Sequence, residues 1–142
     1  MRRAALLPLA IVVAALGPPG AGAQAGHAGP GDVPIYGIWR NPMGTVDVRI
    51  EACGDRLCGK VARASAEALA DARDSGYPGL IGLELIQDYR AERPGRWVGT
   101  VLVPDLGHSF SSHIDLIDPN HARIAGCLWR QVFCKSQVWR RL

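Results

Sequence analysis

The stretch Thr45-Val46-Asp47-Val48-Arg49-Ile50-Glu51 alternates between polar and apolar residues without a break. Successive side chains of a β-strand point to opposite faces, so Val46, Val48 and Ile50 share one face and the polar residues share the other. Such alternation is typical of a half-buried strand in an antiparallel sheet. The stretch therefore predicts that the surrounding chain forms an antiparallel sheet with one face against a core.

Short segments of similar texture lie on both sides of this strand and are separated by turn sequences rich in Gly, Pro, Asn and Asp. The alanine-rich segment 65–74 breaks the pattern, and with Ser65 as its N-cap it predicts one short helix. The predicted strands are Ile35–Arg40, Thr45–Glu51, Leu57–Ala64, Leu80–Tyr89, Arg96–Val103, Ser109–Ile117, Ala122–Leu128 and Val132–Arg140. About eight short strands joined by tight turns favour an all-β fold, either an antiparallel up-and-down β-barrel or a strongly curved sheet. We expect the barrel.

The N-terminus has the features of a secretory signal peptide. Two arginines at positions 2 and 3 precede an apolar run over 4–16, and Ala21-Gly22-Ala23 offers a small-x-small cleavage site. The run is too short for a membrane-spanning helix, which needs about 20 residues. We expect a periplasmic or secreted protein with no transmembrane segment in the mature chain. The predicted organisation is a signal peptide at 1–23 (cleavage after Ala25 is the alternative), a flexible leader at 24–34 and a single β-barrel domain at 35–142.

Length and charge exclude two classes of protein, multidomain enzymes and nucleic-acid binders. The 142 residues suffice for one ordinary domain and are too few for two. The whole chain has 16 basic and 13 acidic side chains, and loss of Arg2 and Arg3 with the signal leaves 14 against 13. A nucleic-acid binder concentrates basic residues on one face. A nearly neutral mature chain therefore predicts no nucleic-acid partner.

The mature chain contains four cysteines, Cys53, Cys58, Cys127 and Cys134. An even number in an exported protein indicates two disulfides, for which three pairings exist. Gly54-Asp55 forms a turn sequence between the first two, and the last two repeat the arrangement with a slightly longer loop. We therefore expect Cys53–Cys58 and Cys127–Cys134. Four thiolates around zinc are less favoured because structural zinc sites of this kind belong to reducing surroundings.

Several short motifs together resemble a known bacterial family. They are Gly37-Ile38-Trp39, Leu57-Cys58-Gly59-Lys60-Val61, Trp97-Val98-Gly99, Gly126-Cys127 and Cys134-Lys135-Ser136-Gln137-Val138-Trp139-Arg140. The chain from about Ile35 to Leu142 resembles the uncharacterised exported proteins known as domain of unknown function 2147. The resemblance implies a lipocalin-like barrel and supplies no reaction. The opening Gly37-x-Trp39 also resembles the start of the lipocalin barrel, which implies that Gly37 and Trp39 close one barrel end beneath Arg140 or Arg141, because a guanidinium stacks well on an indole ring.

The sequence shows no catalytic motif. It lacks G-x-S-x-G, a P-loop, G-x-G-x-x-G and H-E-x-x-H. His108 and His113 differ by an odd number, so on a regular strand they point to opposite faces and cannot share one metal ion. We therefore predict neither an enzyme nor a bound cofactor or metal. An enzyme would need a cleft that brings one of these histidines beside a carboxylate and a serine.

A candidate ligand site lies on two of the predicted strands. Trp97 and Gly99 share a face of one strand, and Phe110, Ser112 and Ile114 share a face of the next. If these faces line the barrel interior, Gly99 and Ser112 leave room beside the larger residues for a small lipophilic or amphipathic ligand, bound without catalysis. In the alternative, the same residues pack a filled barrel, and the protein is an envelope module that contacts an unidentified protein or the cell wall.

Overall fold

A computed structural model describes residues 34–128 and 133–142. In these residues eight antiparallel strands form a closed barrel, in which each strand pairs with the next along the chain and the last pairs with the first. The predicted up-and-down barrel is therefore confirmed. The predicted signal peptide, and the leader as far as residue 33, lie outside the described residues. The elements are β1 (Gly37–Arg40), β2 (Val46–Cys53), β3 (Arg56–Ala64), α1 (Ala66–Asp74), β4 (Glu84–Arg93), β5 (Arg96–Val103), a 3-10 turn (Pro104–Leu106), β6 (His108–Asp118), β7 (His121–Leu128) and β8 (Phe133–Arg141).

The fourth strand begins later than the sequence predicted. Residues 80–83 form a turn in which the Leu83 N–H donates to the Leu80 carbonyl at 3.0 Å, and Gly82 takes a positive φ of 83°. The strand then continues to Arg93, which leaves Pro94-Gly95 as the turn before β5. The apolar Leu80 is buried although it belongs to no strand. The prediction began the strand at Leu80 because this residue is apolar, but its apolar character reflects burial in the core and not pairing in a strand.

The predicted helix is confirmed. The Ser65 side chain is the N-cap, and its Oγ accepts a hydrogen bond from the Ala68 N–H at 3.1 Å. The Ser65 N–H donates to the Thr45 carbonyl at 2.8 Å, which ties the helix start to the connection between β1 and β2. The helix α1 also contacts the 3-10 turn that follows β5. The helix therefore lies across one end of the barrel.

The antiparallel order gives the barrel two different ends. The C-terminal ends of β1, β3, β5 and β7 meet at one end of the barrel, which we call the mouth. The C-terminal ends of β2, β4, β6 and β8 meet at the opposite end, which we call the closed end. Both predicted disulfides are present. Cys53–Cys58 joins β2 to β3 at the closed end, and Cys127–Cys134 joins β7 to β8 at the mouth.

Trp39 plugs the closed end. Its side chain is 1% exposed, and its Nε1–H donates to the Ile35 carbonyl at 2.9 Å. The Arg141 guanidinium lies 4.3 Å from the centre of the indole ring. A Cβ at Gly37, where φ is +135°, would lie 2.8 Å from the same guanidinium, so this position requires glycine. Gly37 and Trp39 therefore both lie against the Arg141 guanidinium at the closed end.

The arginine over Trp39 is Arg141 and not Arg140. Trp39 pairs directly with Arg141 across β1 and β8, whereas Arg140 is exposed. The Arg141 guanidinium also donates to three backbone carbonyls, those of Pro34, Tyr36 and Pro119. Hydrogen bonds from a charged donor are stronger than neutral ones. Arg141 therefore fastens the start of the described chain and the β6–β7 turn to the last strand.

Candidate functional site

The residues predicted to share the barrel interior do share one face. Strands β5 and β6 pair in a regular register that places Trp97 opposite Ile114 and Gly99 opposite Ser112. The same register places Val101 opposite Phe110. Trp97, Ser112 and Ile114 are all buried. These three side chains therefore face the packed interior of the barrel.

The room beside Gly99 is filled by Tyr89. A Cβ at Gly99 would lie 2.4 Å from Cδ2 of the Tyr89 ring, which is 0% exposed. The Tyr89 hydroxyl forms a hydrogen bond with the Ser112 hydroxyl, and burial raises the pKa of the phenol above its usual range. The expectation that Gly99 and Ser112 leave room for a ligand is therefore wrong. Both residues lie against the buried Tyr89 side chain.

A β-bulge explains why Tyr89 points inward. Ile86 and Tyr89 are both buried, although residues three apart on a regular strand face opposite sides. Asp88 between them has a φ of 55°, and the register of β4 against β5 shifts between Gln87 and Arg90. A bulge adds one residue to a strand and reverses the alternation beyond it. The bulge at Asp88 thus brings a second large side chain into the interior.

A cavity of about 460 Å³ opens at the mouth. Of the five residues predicted to contact a ligand, Phe110 lines it, whereas Trp97, Gly99, Ser112 and Ile114 do not. Phe110 and Trp139 are only half-buried, so both rings offer apolar surface to the cavity. The other apolar residues that line it are Met43, Val46, Ala68, Leu80, Leu85, Ile86, Val101, Leu102, Val103, Pro104, Leu106 and Ile124, with Gly126.

Charged groups also line this cavity. Lys135 lies on β8, Glu67 and Asp71 lie on α1, and Asp105 lies in the 3-10 turn. Within the described parts of the chain none of these four forms an ion pair. The amides that line the cavity are already engaged: Asn41 holds the β1–β2 connection, and Gln137 Oε1 accepts from Trp139 Nε1 at 3.1 Å. The cavity therefore combines apolar walls with ionisable groups, which suits an amphipathic molecule.

The sequence interpretation missed the wall that β7 and β8 supply. Ile124, Gly126, Gln137 and Trp139 line the cavity, and the register places Ile124 opposite Gln137. The strand β8 carries polar residues on both faces, so its alternation did not mark an interior face. The available signal was Ala122-x-Ile124-x-Gly126, an apolar and small-residue face on β7. Glycine inside a strand often marks a close approach of another group.

An ion-pair cluster fixes the strands next to the mouth. The Asp47 carboxylate is 5% exposed and lies between two guanidiniums, with Arg40 Nε and Arg63 Nε each 2.7 Å from one of its oxygens. Arg63 also donates to the Gly44 carbonyl at 2.8 Å, in the turn that carries the cavity residue Met43. The hydrogen bonds from Arg40, assisted by those from Arg63, lower the pKa of Asp47 from 3.8 to about 2 against the opposing effect of burial.

The Asp47→Asn variant should remove an acid-sensitive part of the stability. Because the folded pKa lies below the unfolded one, the carboxylate stabilises the fold fully above pH 4 and loses that effect as the pH falls to about 2. The shift corresponds to about 2 kcal/mol. Urea unfolding at pH 6 and at pH 2 should show the wild-type advantage over the variant shrinking by about that amount. An advantage that stays constant with pH would contradict this assignment.

His108 and His113, which the sequence offered as candidates for catalysis, make contacts with different residues. His113 Nε2 lies 3.5 Å from Asp115 Oδ2, and Asp115 is held at 2.9 Å by Arg96. His108 is exposed and its ring meets Phe110 edge-on, with the ring centres 6.4 Å apart. Among residues 34–128 and 133–142 no three His, Cys, Asp or Glu side chains come together as metal ligands would. The two histidines take part in separate surface contacts.

The fold and the cavity define a class, a small closed antiparallel β-barrel with an apolar cavity at one end. A family model described as "Uncharacterized protein conserved in bacteria (DUF2147)" matches residues 37–141, and the chain belongs to this family. No curated protein matches the chain, and neither does any solved structure. Within the described ranges, no helix has the length and apolar character needed to cross a membrane.

Proposed function

We propose that this protein is exported and binds a small lipophilic or amphipathic molecule in the cavity at the barrel mouth, without catalysis. The observation that carries the proposal is a cavity of about 460 Å³ with mainly apolar walls at the mouth of a closed barrel. Ligand pockets range from about 300 to 1,000 Å³ and have mainly apolar walls. The size therefore suits a molecule of one or two rings or a short acyl chain.

Burial of apolar surface supplies the driving force for binding. Phe110, Ile124 and Trp139 line the cavity while each is only half-buried. Removing such surface from water contributes roughly 25 cal/mol per Å². A ligand that covers these three side chains thus replaces contact with water by contact with an apolar body. The closed barrel holds the three strands that carry them in place before the ligand arrives, which lowers the cost of binding.

Two observations support export. Both cysteine pairs form disulfides, and stable disulfides are typical of oxidising compartments. The sequence before the barrel has the composition of a secretory signal peptide. Both observations support the proposal that the protein binds its ligand in the periplasm or outside the cell. The alternative function is an envelope module with a filled barrel. The cavity at the mouth favours ligand binding over this alternative.

Filling the cavity should weaken ligand binding strongly. The probe is the neutral dye N-phenyl-1-naphthylamine, whose fluorescence rises in apolar surroundings. We expect the wild type to bind the dye and Ile124→Trp to bind it at least tenfold more weakly, because the indole occupies space that the dye needs. The matched control is Arg123→Trp, since Arg123 is the exposed neighbour on the same strand. A wild type without dye binding, or equal loss in both variants, would contradict the proposal.

A further inference from the structure

The two disulfides differ in their relation to the cavity. Cys127 lies directly opposite Cys134, and the next pair in the register is Gly126 opposite Lys135. Both members of that next pair line the cavity. The Cys53–Cys58 disulfide lies at the closed end, and neither of its cysteines lines the cavity. One disulfide is therefore adjacent to the proposed site, and the other serves as an internal reference.

The disulfide at the mouth is accessible from outside the barrel. Gly126 faces the cavity, so its neighbour Cys127 lies on the outer face of the alternating strand. Cys134 is exposed and Cys127 is half-buried; in the other disulfide Cys53 is exposed as well, and Cys58 is 1% exposed. A small dithiol can thus reach the Cys127–Cys134 bond while a ligand occupies the cavity. Reduction and ligand binding do not compete for the same space.

The strands that this disulfide joins form a large part of the cavity wall. They supply Ile124, Gly126, Lys135, Gln137 and Trp139. A covalent link between β7 and β8 limits how far the two strands separate at the mouth. Without the link, the β7–β8 ladder and the chain through 129–132 still join the two strands, but the last pairs of a ladder open at low cost. Opening of the pairs next to the two cysteines displaces Gly126 and Lys135 from the cavity wall.

We propose that occupancy of the cavity is coupled to the oxidation state of Cys127–Cys134 and is independent of Cys53–Cys58. The inference rests on the proposed function and adds its regulation. A dithiol reduces the bond by transferring two electrons and two protons, which gives two cysteine thiols and the oxidised, disulfide form of the dithiol. Reduction then lowers the fraction of protein with a formed cavity and weakens the apparent affinity by the same factor. Ligand binding must in turn protect this bond from reduction, since such coupling is reciprocal.

Paired double variants test the first half of the inference. We expect Cys127→Ser with Cys134→Ser to weaken binding of N-phenyl-1-naphthylamine about tenfold. Cys53→Ser with Cys58→Ser should change it less than twofold, because it alters only the closed end. Thermal unfolding curves establish that each variant is folded at the assay temperature. Equal affinity in the two double variants would overturn the inference, whereas absence of dye binding to the oxidised wild type would overturn the proposed function itself.

A redox titration of the wild type tests the second half without any variant. The oxidised protein is equilibrated at a series of ratios of reduced to oxidised dithiothreitol, with and without saturating dye, and each disulfide is quantified by peptide mass spectrometry. The dye should raise the ratio that half-reduces Cys127–Cys134 about tenfold and leave that of Cys53–Cys58 unchanged. No shift, or equal shifts at both bonds, would overturn the coupling.

Discussion

The Trp39→Ala variant should lose about 4 kcal/mol of its free energy of unfolding, because replacing a buried tryptophan by alanine costs about 3 to 5 kcal/mol. Trp39 is 1% exposed, its Nε1–H satisfies the Ile35 carbonyl, and its ring supports the Arg141 guanidinium. The truncation leaves a void at the closed end and removes the surface on which Arg141 stacks. Urea unfolding followed by circular dichroism measures the loss.

Two control variants separate the contribution of the Trp39 hydrogen bond from that of ring burial. Trp39→Phe keeps an aromatic ring beneath Arg141 but loses the hydrogen bond to Ile35, so we expect a loss of about 2 kcal/mol. Trp139→Ala removes a tryptophan that is only half-buried and lines the cavity, so the loss should stay near 1 kcal/mol. If Trp39→Ala proved no more costly than Trp139→Ala, the closed end would not be the packed part of the barrel.

A single methyl group at position 99 should lower the free energy of unfolding nearly as much as Trp39→Ala does. The Gly99→Ala variant places its Cβ 2.4 Å from the Tyr89 ring and 2.8 Å from the Gln87 carbonyl oxygen. The ring cannot retreat easily because Tyr89 is fully buried and its hydroxyl is bonded to Ser112. Overpacking of this kind costs about 1 to 3 kcal/mol, and we expect the upper end of that range. Thermal and urea unfolding measure the difference from the wild type.

Gly126→Ala is the matched control for this prediction. It makes the same substitution on the inner face of another strand, but there the nearest atom, Cβ of Ser112, lies 3.4 Å from the added carbon. We expect a change below about 1 kcal/mol, since the methyl group enters the edge of the cavity. Equal costs at the two positions would mean that the interior is packed alike beside Gly99 and beside Gly126, against the division into core and cavity.

The sequence predicted those features that depend on local alternation or on short spacings. The strand Arg96–Val103 has the predicted bounds, and the alternation from residue 45 to 51 lies within β2 apart from its first residue. Cysteines five and seven residues apart can meet across a hairpin without the rest of the fold, so both disulfides followed from spacing. The Ser65 cap likewise depends on a side chain and a backbone N–H three residues away.

The position of the cavity could not be predicted in the same way. It depends on Tyr89, which reaches Gly99 and Ser112 only because the bulge at Asp88 reverses the alternation of β4. A positive φ at an aspartate leaves no distinct trace in a polar stretch of sequence. The sequence also could not decide between Arg140 and Arg141. That choice depends on the register in which β8 pairs with β1 when the barrel closes.

A crystal structure of the oxidised protein with N-phenyl-1-naphthylamine tests the central claim most directly. We expect density for the dye in the cavity at the mouth, in contact with Phe110, Ile124 and Trp139, while the positions of Tyr89 and Gly99 stay unchanged. A barrel whose side chains fill this space, with the dye bound on the outer surface, would contradict the account.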